Sequence, residues 1–302
     1  MIYDIIIIGG GPAALSAGIY AARKKLNLLL LVKEWGGQMN EAARIENYLG
    51  FNSISGAELV HKFITHLKKF DLEIKENQEI KEVKKAGLEF EVISVNGDKH
   101  QGKSLIIASG KGPKKLGVPG EEEFIGKGVS FCATCDAPLF ANKKVAVIGG
   151  GNAAAEAALE TSEYASEIYL LALNPKLRID KVEQEKIKAA SNIKILFNVQ
   201  VEKIQGNKFV TGLVYRDKIS QEEKKMSVEG VYIEIGSVPI SNFVKSVVEL
   251  NKEGEIKTDF RNMTSCPGIF AAGDVTDVFH KQIIIAAGEG AKAAISASEY
   301  LS

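Results

Sequence analysis

Cys132-Ala133-Thr134-Cys135 sets two thiols two residues apart, and Asp136 follows at once. Thiols at that spacing can close a disulfide within one tight turn, and a helix N-terminus or a cation nearby lowers their pKa. Such a pair takes up and releases electrons two at a time. Half of a zinc site is the other chemistry open to it, but zinc needs a second pair or two histidines at ligand spacing. The only other cysteine is Cys266, and His61, His66, His100 and His280 are scattered along the chain. Redox chemistry is therefore the better reading of the pair.

The elements around the dithiol point the same way. Val145 to Ile148 reads as a strand that runs into Gly149-Gly150-Gly151-Asn152-Ala153-Ala154, an Ala-rich helix through Glu163 and a strand from Glu167 to Leu171. The N-terminus has the same plan. The apolar strand Tyr3 to Ile8 leads into Gly9-Gly10-Gly11-Pro12-Ala13-Ala14, a helix to about Lys24, and a strand from Asn27 to Val32 that ends near Glu34. In such a Rossmann unit the helix N-terminus holds a pyrophosphate, and an acid about twenty residues on takes a ribose hydroxyl. A bound dinucleotide is expected at the first turn.

Further along, Leu105 to Gly110 is an apolar strand ending in small residues, suited to close approach by a ligand. Gly268 to Asp274 reads as a strand entering a Gly-Asp turn before a final helix, so the first nucleotide fold is completed from the far end of the chain. Pro113 to Pro119 and Gly236 to Pro239 have linker composition and flank the second unit. Phe90 to Ile93 with Asn96-Gly97 suggests a hairpin. The expected architecture is α/β, with two Rossmann-like nucleotide-binding domains: a discontinuous one over residues 1–112 and 241–302, and an inserted one over 113–240 that carries the dithiol.

The 302 residues hold 38 basic and 38 acidic side chains. That balance gives no net attraction to nucleic acid or an anionic membrane. No apolar run approaches a membrane span, no leader pattern precedes Ile5, and three cysteines do not make a secreted disulfide framework. A cytoplasmic protein is expected.

Gly9-Gly10-Gly11-Pro12-Ala13-Ala14, Gly36-Gly37-Gln38, Ile45-Glu46-Asn47, Cys132-Ala133-Thr134-Cys135-Asp136, Gly149-Gly150-Gly151-Asn152 and Ala271-Ala272-Gly273-Asp274 occur in this order. As a set, across essentially the whole chain, they resemble the low-molecular-weight thioredoxin reductases. The resemblance implies FAD on the first unit, held by Gly9, Gly11, Pro12, Ala13 and Ala14. Glu34 would lie near the adenosine ribose, and Gly37, Gln38 and Asn47 along the cofactor. Ala108 and Gly110 would lie beneath it, Asp274 after Gly273 at its ribityl or pyrophosphate region, and Gln282 and Ile283 at the ring. It also implies that Cys132 and Cys135 form the disulfide that accepts two electrons from the flavin and passes them to thioredoxin, with Cys135 facing the flavin. Asp136 would move the accompanying protons, although a cap on the following segment is its other reading. A homodimer is implied as well.

One segment departs from the family. Where the typical enzyme carries His-Arg-Arg-x-x-x-Arg to grip the 2′-phosphate of NADPH, this chain reads Ala172-Leu173-Asn174-Pro175-Lys176-Leu177-Arg178. Each lost charge-assisted pair is worth roughly 1.5 to 3 kcal/mol, so two cost about a hundredfold to ten-thousandfold in affinity. The strand end also lacks the acid that would take the ribose diol of NADH. These residues argue against NADPH and resemble the ferredoxin-dependent flavin thioredoxin reductases, which take electrons singly from ferredoxin. Lys111, Lys114, Lys115, Lys127, Lys143 and Lys144 would then offer a basic face to an acidic partner. The alternatives are an NADPH enzyme using Lys176 and Arg178, and a flavin redox sensor without turnover. The intact dithiol argues against the sensor.

Overall fold

Ile5 to Ile8 are buried on both faces of a sheet, which is why the strand Ile2–Ile8 carries an apolar run where a half-exposed strand would alternate. A computed structural model describes residues 1–42 and 45–302, with only the backbone of Glu41. In it, Ile2–Ile8 pairs in parallel with Leu28–Leu31 on one side and Lys99–Ile107 on the other. Glu73–Lys75 adds an outer parallel strand beside Leu28–Leu31.

The strand Lys99–Ile107 changes partner and polarity half-way. Lys99 to Gly102 alternate exposed and buried and pair antiparallel with Glu89–Ser94, whose other edge takes Ile80–Ala86. Leu105, Ile106 and Ile107 are fully buried and pair in parallel with Ile269–Ala271. The predicted hairpin is thus present, with Gly97 turning at φ 93°. The C-terminal segment supplies the last parallel strand, as the Gly268–Asp274 pattern implied.

One face of this sheet is covered by the helices Pro12–Arg23 and Ile283–Tyr300. Ala13, Ala14, Ala17 and Ala21 of the first share a core with Ala286, Ala293, Ala294 and Ala297 of the second. Small residues let the two backbones touch: a Cβ at Gly290 would stand 2.0 Å from the Ala13 carbonyl oxygen. Met1–Gly112 and Val238–Ser302 together make one compact unit.

Pro113–Ser237 makes the other. Its parallel sheet runs Ile193–Phe197, Glu167–Ala172, Lys144–Ile148, Gly230–Ile233, Val129–Ser130. The helix Asn152–Ser162 packs on it through Ala154, Ala155, Ala157 and Ala158. The antiparallel strands Val199–Gly206, Val210–Asp217 and Glu223–Met226 cover the opposite face through Val201, Ile204 and Leu213. The chain passes between the units along Lys111–Pro113 and returns along Ser237–Pro239, and these two segments pair with each other. Both units are α/β with parallel sheets, as expected. Among the described residues no helix is long and apolar enough to cross a membrane.

Candidate functional site

In the first unit the glycine turn divides its labour. Gly9 has φ +138°, and a Cβ there would stand 2.2 Å from the Ala108 carbonyl oxygen; at Gly10 it would stand 2.2 Å from that of Glu34. These two glycines let three strand ends converge. Gly11 has only the Gly36 oxygen, at 3.8 Å, while Gly37 and Gly110 have nothing within 4 Å among the described residues. Gly11, Gly37 and Gly110 therefore border free space. Gly11 is also the N-cap of Pro12–Arg23, with Pro12 in the first turn and no side chain capping the helix. First-turn amides have no intrahelical partner, so this N-terminus is built to receive an anion.

Several predicted residues meet around that turn. Gly273, at φ +75°, opens the turn that carries Asp274, and a Cβ on it would stand 3.0 Å from Ala13 Cβ. Asn47 Nδ2 donates to Gln282 Oε1 at 3.1 Å, which ties the Ile45–Asn47 segment to the N-cap of the last helix, just before Ile283. Ala108 is buried at the end of its strand, and Ser109 Oγ donates to the Ile240 carbonyl at 2.6 Å. Glu34, Gly37 and Gln38 are exposed beside the turn. An open glycine floor and an uncapped helix N-terminus fit the pyrophosphate of a flavin dinucleotide.

A charged group that sequence reasoning missed lies next to Asp274. Glu255 pairs with Lys111 at 2.9 Å and with Lys281 at 3.2 Å, and Lys281 Nζ also donates to the carbonyls of Asp274 and Thr276. Burial pushes the Glu255 carboxyl upward, but bonds from Lys111, Asn251 and Lys281 outweigh it and hold the group at about 2. Asp274 is raised by burial, against the pull of Lys281 and Lys111. Lys111 and Glu255 are 144 residues apart, and no local pattern marks the pair. Lys111 is consequently no docking lysine: its side chain is 17% exposed and engaged. Lys115 and Lys144 are likewise paired, with Glu122 and Glu167.

In the second unit Cys132 and Cys135 are joined, with Cα atoms 5.4 Å apart. Cys132 caps the short helix Ala133–Asp136, its sulfur accepting from Cys135 N at 3.2 Å, and Ser130 Oγ accepts from Cys132 N at 3.1 Å. Thr134 Oγ1 donates to Glu160 Oε2 at 2.8 Å, fastening the turn to the helix Asn152–Ser162. Cys135 is exposed and Cys132 half-buried. Asp136 closes this turn, directly beside the dithiol.

The second glycine turn has the same backbone and different surroundings. Gly149 has φ +156°, a Cβ on it would stand 2.2 Å from the Glu234 carbonyl oxygen, and Gly151 has nothing within 4 Å. Its rim is acidic. Asn152 Nδ2 donates to Asp180 at 3.3 Å, and Glu156 is raised by burial and by Glu183, Asp180 and Glu160. Arg178 N donates to the Gly150 carbonyl at 2.7 Å, which folds the Ala172–Arg178 loop back over the turn. Leu173, Asn174, Lys176 and Arg178 are exposed. Two cations among these carboxylates fit a dianionic 2′-phosphate poorly.

A model of the pyridine nucleotide-disulphide oxidoreductase family matches residues 3–294. The chain belongs to this family. Its fold is similar to that of thioredoxin reductase from Lactococcus lactis, with a TM-score of 0.88 at 35% identity over 99% of both chains. A ferredoxin-flavin thioredoxin reductase from Clostridium acetobutylicum matches with a TM-score of 0.54 at 29% identity, over 98% of this chain and 97% of that one. The alkyl hydroperoxide reductase flavoprotein relative of Staphylococcus aureus is 41% identical over 299 residues, 99% of this chain. The chain spans only 59% of that relative's length. It is thus a disulfide oxidoreductase of thioredoxin reductase type.

Proposed function

We propose that the protein is an FAD-dependent reductase that passes an electron pair through Cys132 and Cys135 to the disulfide of thioredoxin. The dithiol carries the reading: a closed pair whose exposed member, Cys135, shares a turn with a carboxylate. Gly9, Gly11, Pro12, Ala13, Ala14, Glu34, Gly37, Gln38, Asn47, Ala108, Gly110, Gly273, Asp274, Gln282 and Ile283 would hold the flavin. A bound flavin accepts electrons singly and releases them as a pair. On the dithiol, the thiolate attacks the partner disulfide, the departing sulfur takes a proton, and the second thiol loses its own as the Cys132–Cys135 bond re-forms. Asp136 is the carboxylate beside both sulfurs, able to carry that proton.

For the donor, we favour reduced ferredoxin. The reading is supported by the missing arginines in Ala172–Arg178, the acidic rim around Asp180 and Glu156, and the likeness to a ferredoxin-flavin enzyme. NADPH is the competing donor. The identity to an alkyl hydroperoxide reductase component favours a second reading of the acceptor, a disulfide partner in peroxide reduction. Anaerobic mixing of the oxidised flavoprotein with NADPH, NADH or reduced ferredoxin, followed by flavin absorbance, separates the donors. Stoichiometric bleaching by micromolar NADPH would refute the ferredoxin reading.

A further inference from the structure

Behind the dithiol turn lie two hydroxyls without hydrogen-bond partners among the described residues. Tyr232 Oη and Thr161 Oγ1 are both unpaired, on residues with 0% exposure. Tyr232 stands on Gly230–Ile233, in register with Ser130, the residue that receives the Cys132 amide. Its ring packs edge-on against Phe140, at 5.5 Å, just after the turn that holds Asp136. Thr161 stands on the helix Asn152–Ser162, one residue after Glu160, which binds Thr134. The dithiol turn is therefore attached to both elements that bear the orphaned hydroxyls.

A dry hydroxyl buried without a partner is costly, and a polar niche with several donors and acceptors normally takes up a water. The two hydroxyls lie beside each other without making a direct bond. The charges acting on the Tyr232 phenol come from Asp136 on the dithiol turn, Glu160 on the helix and Glu234 on its own strand. Burial pushes the phenol well above its ordinary pKa, with Asp136 the largest of those charges, so it stays protonated and can donate. We propose that Tyr232 and Thr161 hold one water behind the dithiol, and that this water returns a proton to Asp136 after Asp136 has protonated a departing thiolate. The proposal rests on the dithiol reading above.

The step balances within known partners. The reduced pair loses two electrons and two protons as the Cys132–Cys135 bond forms, and the substrate disulfide breaks into two thiols. Asp136 delivers a proton to the departing sulfur and recovers one from the cysteine that closes the bond, by way of the water. Tyr232 and Thr161 are positioning residues: they touch the water and not the sulfurs.

The test uses the flavin-loaded protein, reduced with dithiothreitol, freed of reductant without oxygen, and mixed with two small disulfides. Bis(2-hydroxyethyl) disulfide releases a thiol that must be protonated, whereas an aromatic disulfide with an acidic leaving thiol does not need the proton. Tyr232→Phe and Thr161→Val should each slow exchange with the first about tenfold, part of the roughly 10²–10⁴ typical of general acid–base catalysis. Exchange with the second should stay within about twofold, since its leaving thiol departs unprotonated. The double variant should be no slower than either single one. Equal slowing with both disulfides would mark a structural defect and overturn the relay. So would unchanged rates with both, or a Tyr232→Phe protein more stable than the parent, the signature of a dry hydroxyl. Cys135→Ser must abolish exchange with both disulfides; if it does not, the dithiol reading itself fails.

Discussion

Glu255→Gln should destabilise the first unit, and the penalty should fade in acid. The carboxyl is held at about 2 against an ordinary 4.5, burial opposing and bonds from Lys111, Asn251 and Lys281 prevailing. At about 1.36 kcal/mol per pKa unit, that depression corresponds to about 3.4 kcal/mol for a fully enclosed group. The side chains of Glu255, Lys111 and Lys281 remain 15%, 17% and 23% exposed. Halving for solvent screening leaves about 1.5–2 kcal/mol at pH 7. The sign follows from the depressed pKa: this stability is fully present above 4.5 and is lost as pH falls toward 2. At pH 3 about two-fifths of it should remain, or about 0.7 kcal/mol. Trp35, the only tryptophan, lies in the same unit, so urea unfolding followed by its fluorescence reads the transition. A penalty equal at pH 7 and pH 3, or none at pH 7, would refute the account of the Lys111–Glu255–Lys281 cluster.

Gly290→Ala should force the last helix away from the turn that begins the first one, because the new Cβ would lie 2.0 Å from the Ala13 carbonyl oxygen. Overpacking of this kind costs about 1–3 kcal/mol, and the purified protein should carry less flavin, measured as the ratio of flavin to protein absorbance. Asp136→Asn should leave flavin reduction by the donor intact and slow disulfide reduction about a hundredfold or more, the general-acid range; stopped-flow absorbance resolves the two steps.

The parallel strands, both glycine turns and the Asn96-Gly97 hairpin were legible because each is a local pattern: an unbroken apolar run, a turn before an Ala-rich helix, an Asn-Gly pair between strands. The strand Lys99–Ile107 shows how far such patterns reach. Its alternating half faces solvent on one side, and its continuous half is covered on both by segments distant in sequence. The Glu255 cluster and the two hydroxyls at Tyr232 and Thr161 were not legible. Their partners converge only through the tertiary fold, and a buried Tyr or Thr in an apolar stretch looks like ordinary core.

The two glycine turns also separate backbone demand from ligand choice. Gly9 and Gly149 face the same constraint, a carbonyl 2.2 Å from where a Cβ would sit, and Gly11 and Gly151 both border open space. That shared pattern reports a close strand–helix junction and an anion-ready N-terminus, and it would persist whichever nucleotide bound, or if none did. Discrimination must come from side chains at the rim. Around the first turn these are Asp274, Asn47 and Gln282, converging from three separate segments. Around the second they are Asp180, Glu156 and Glu183, which repel the phosphate that Lys176 and Arg178 would attract. Replacing Asp180 with Asn and Asn174 with Arg should therefore raise affinity for NADPH more than for NADH, because only NADPH carries the extra phosphate. Titration of both nucleotides against the double variant measures this directly, and an equal gain for the two would show that the rim does not read the phosphate.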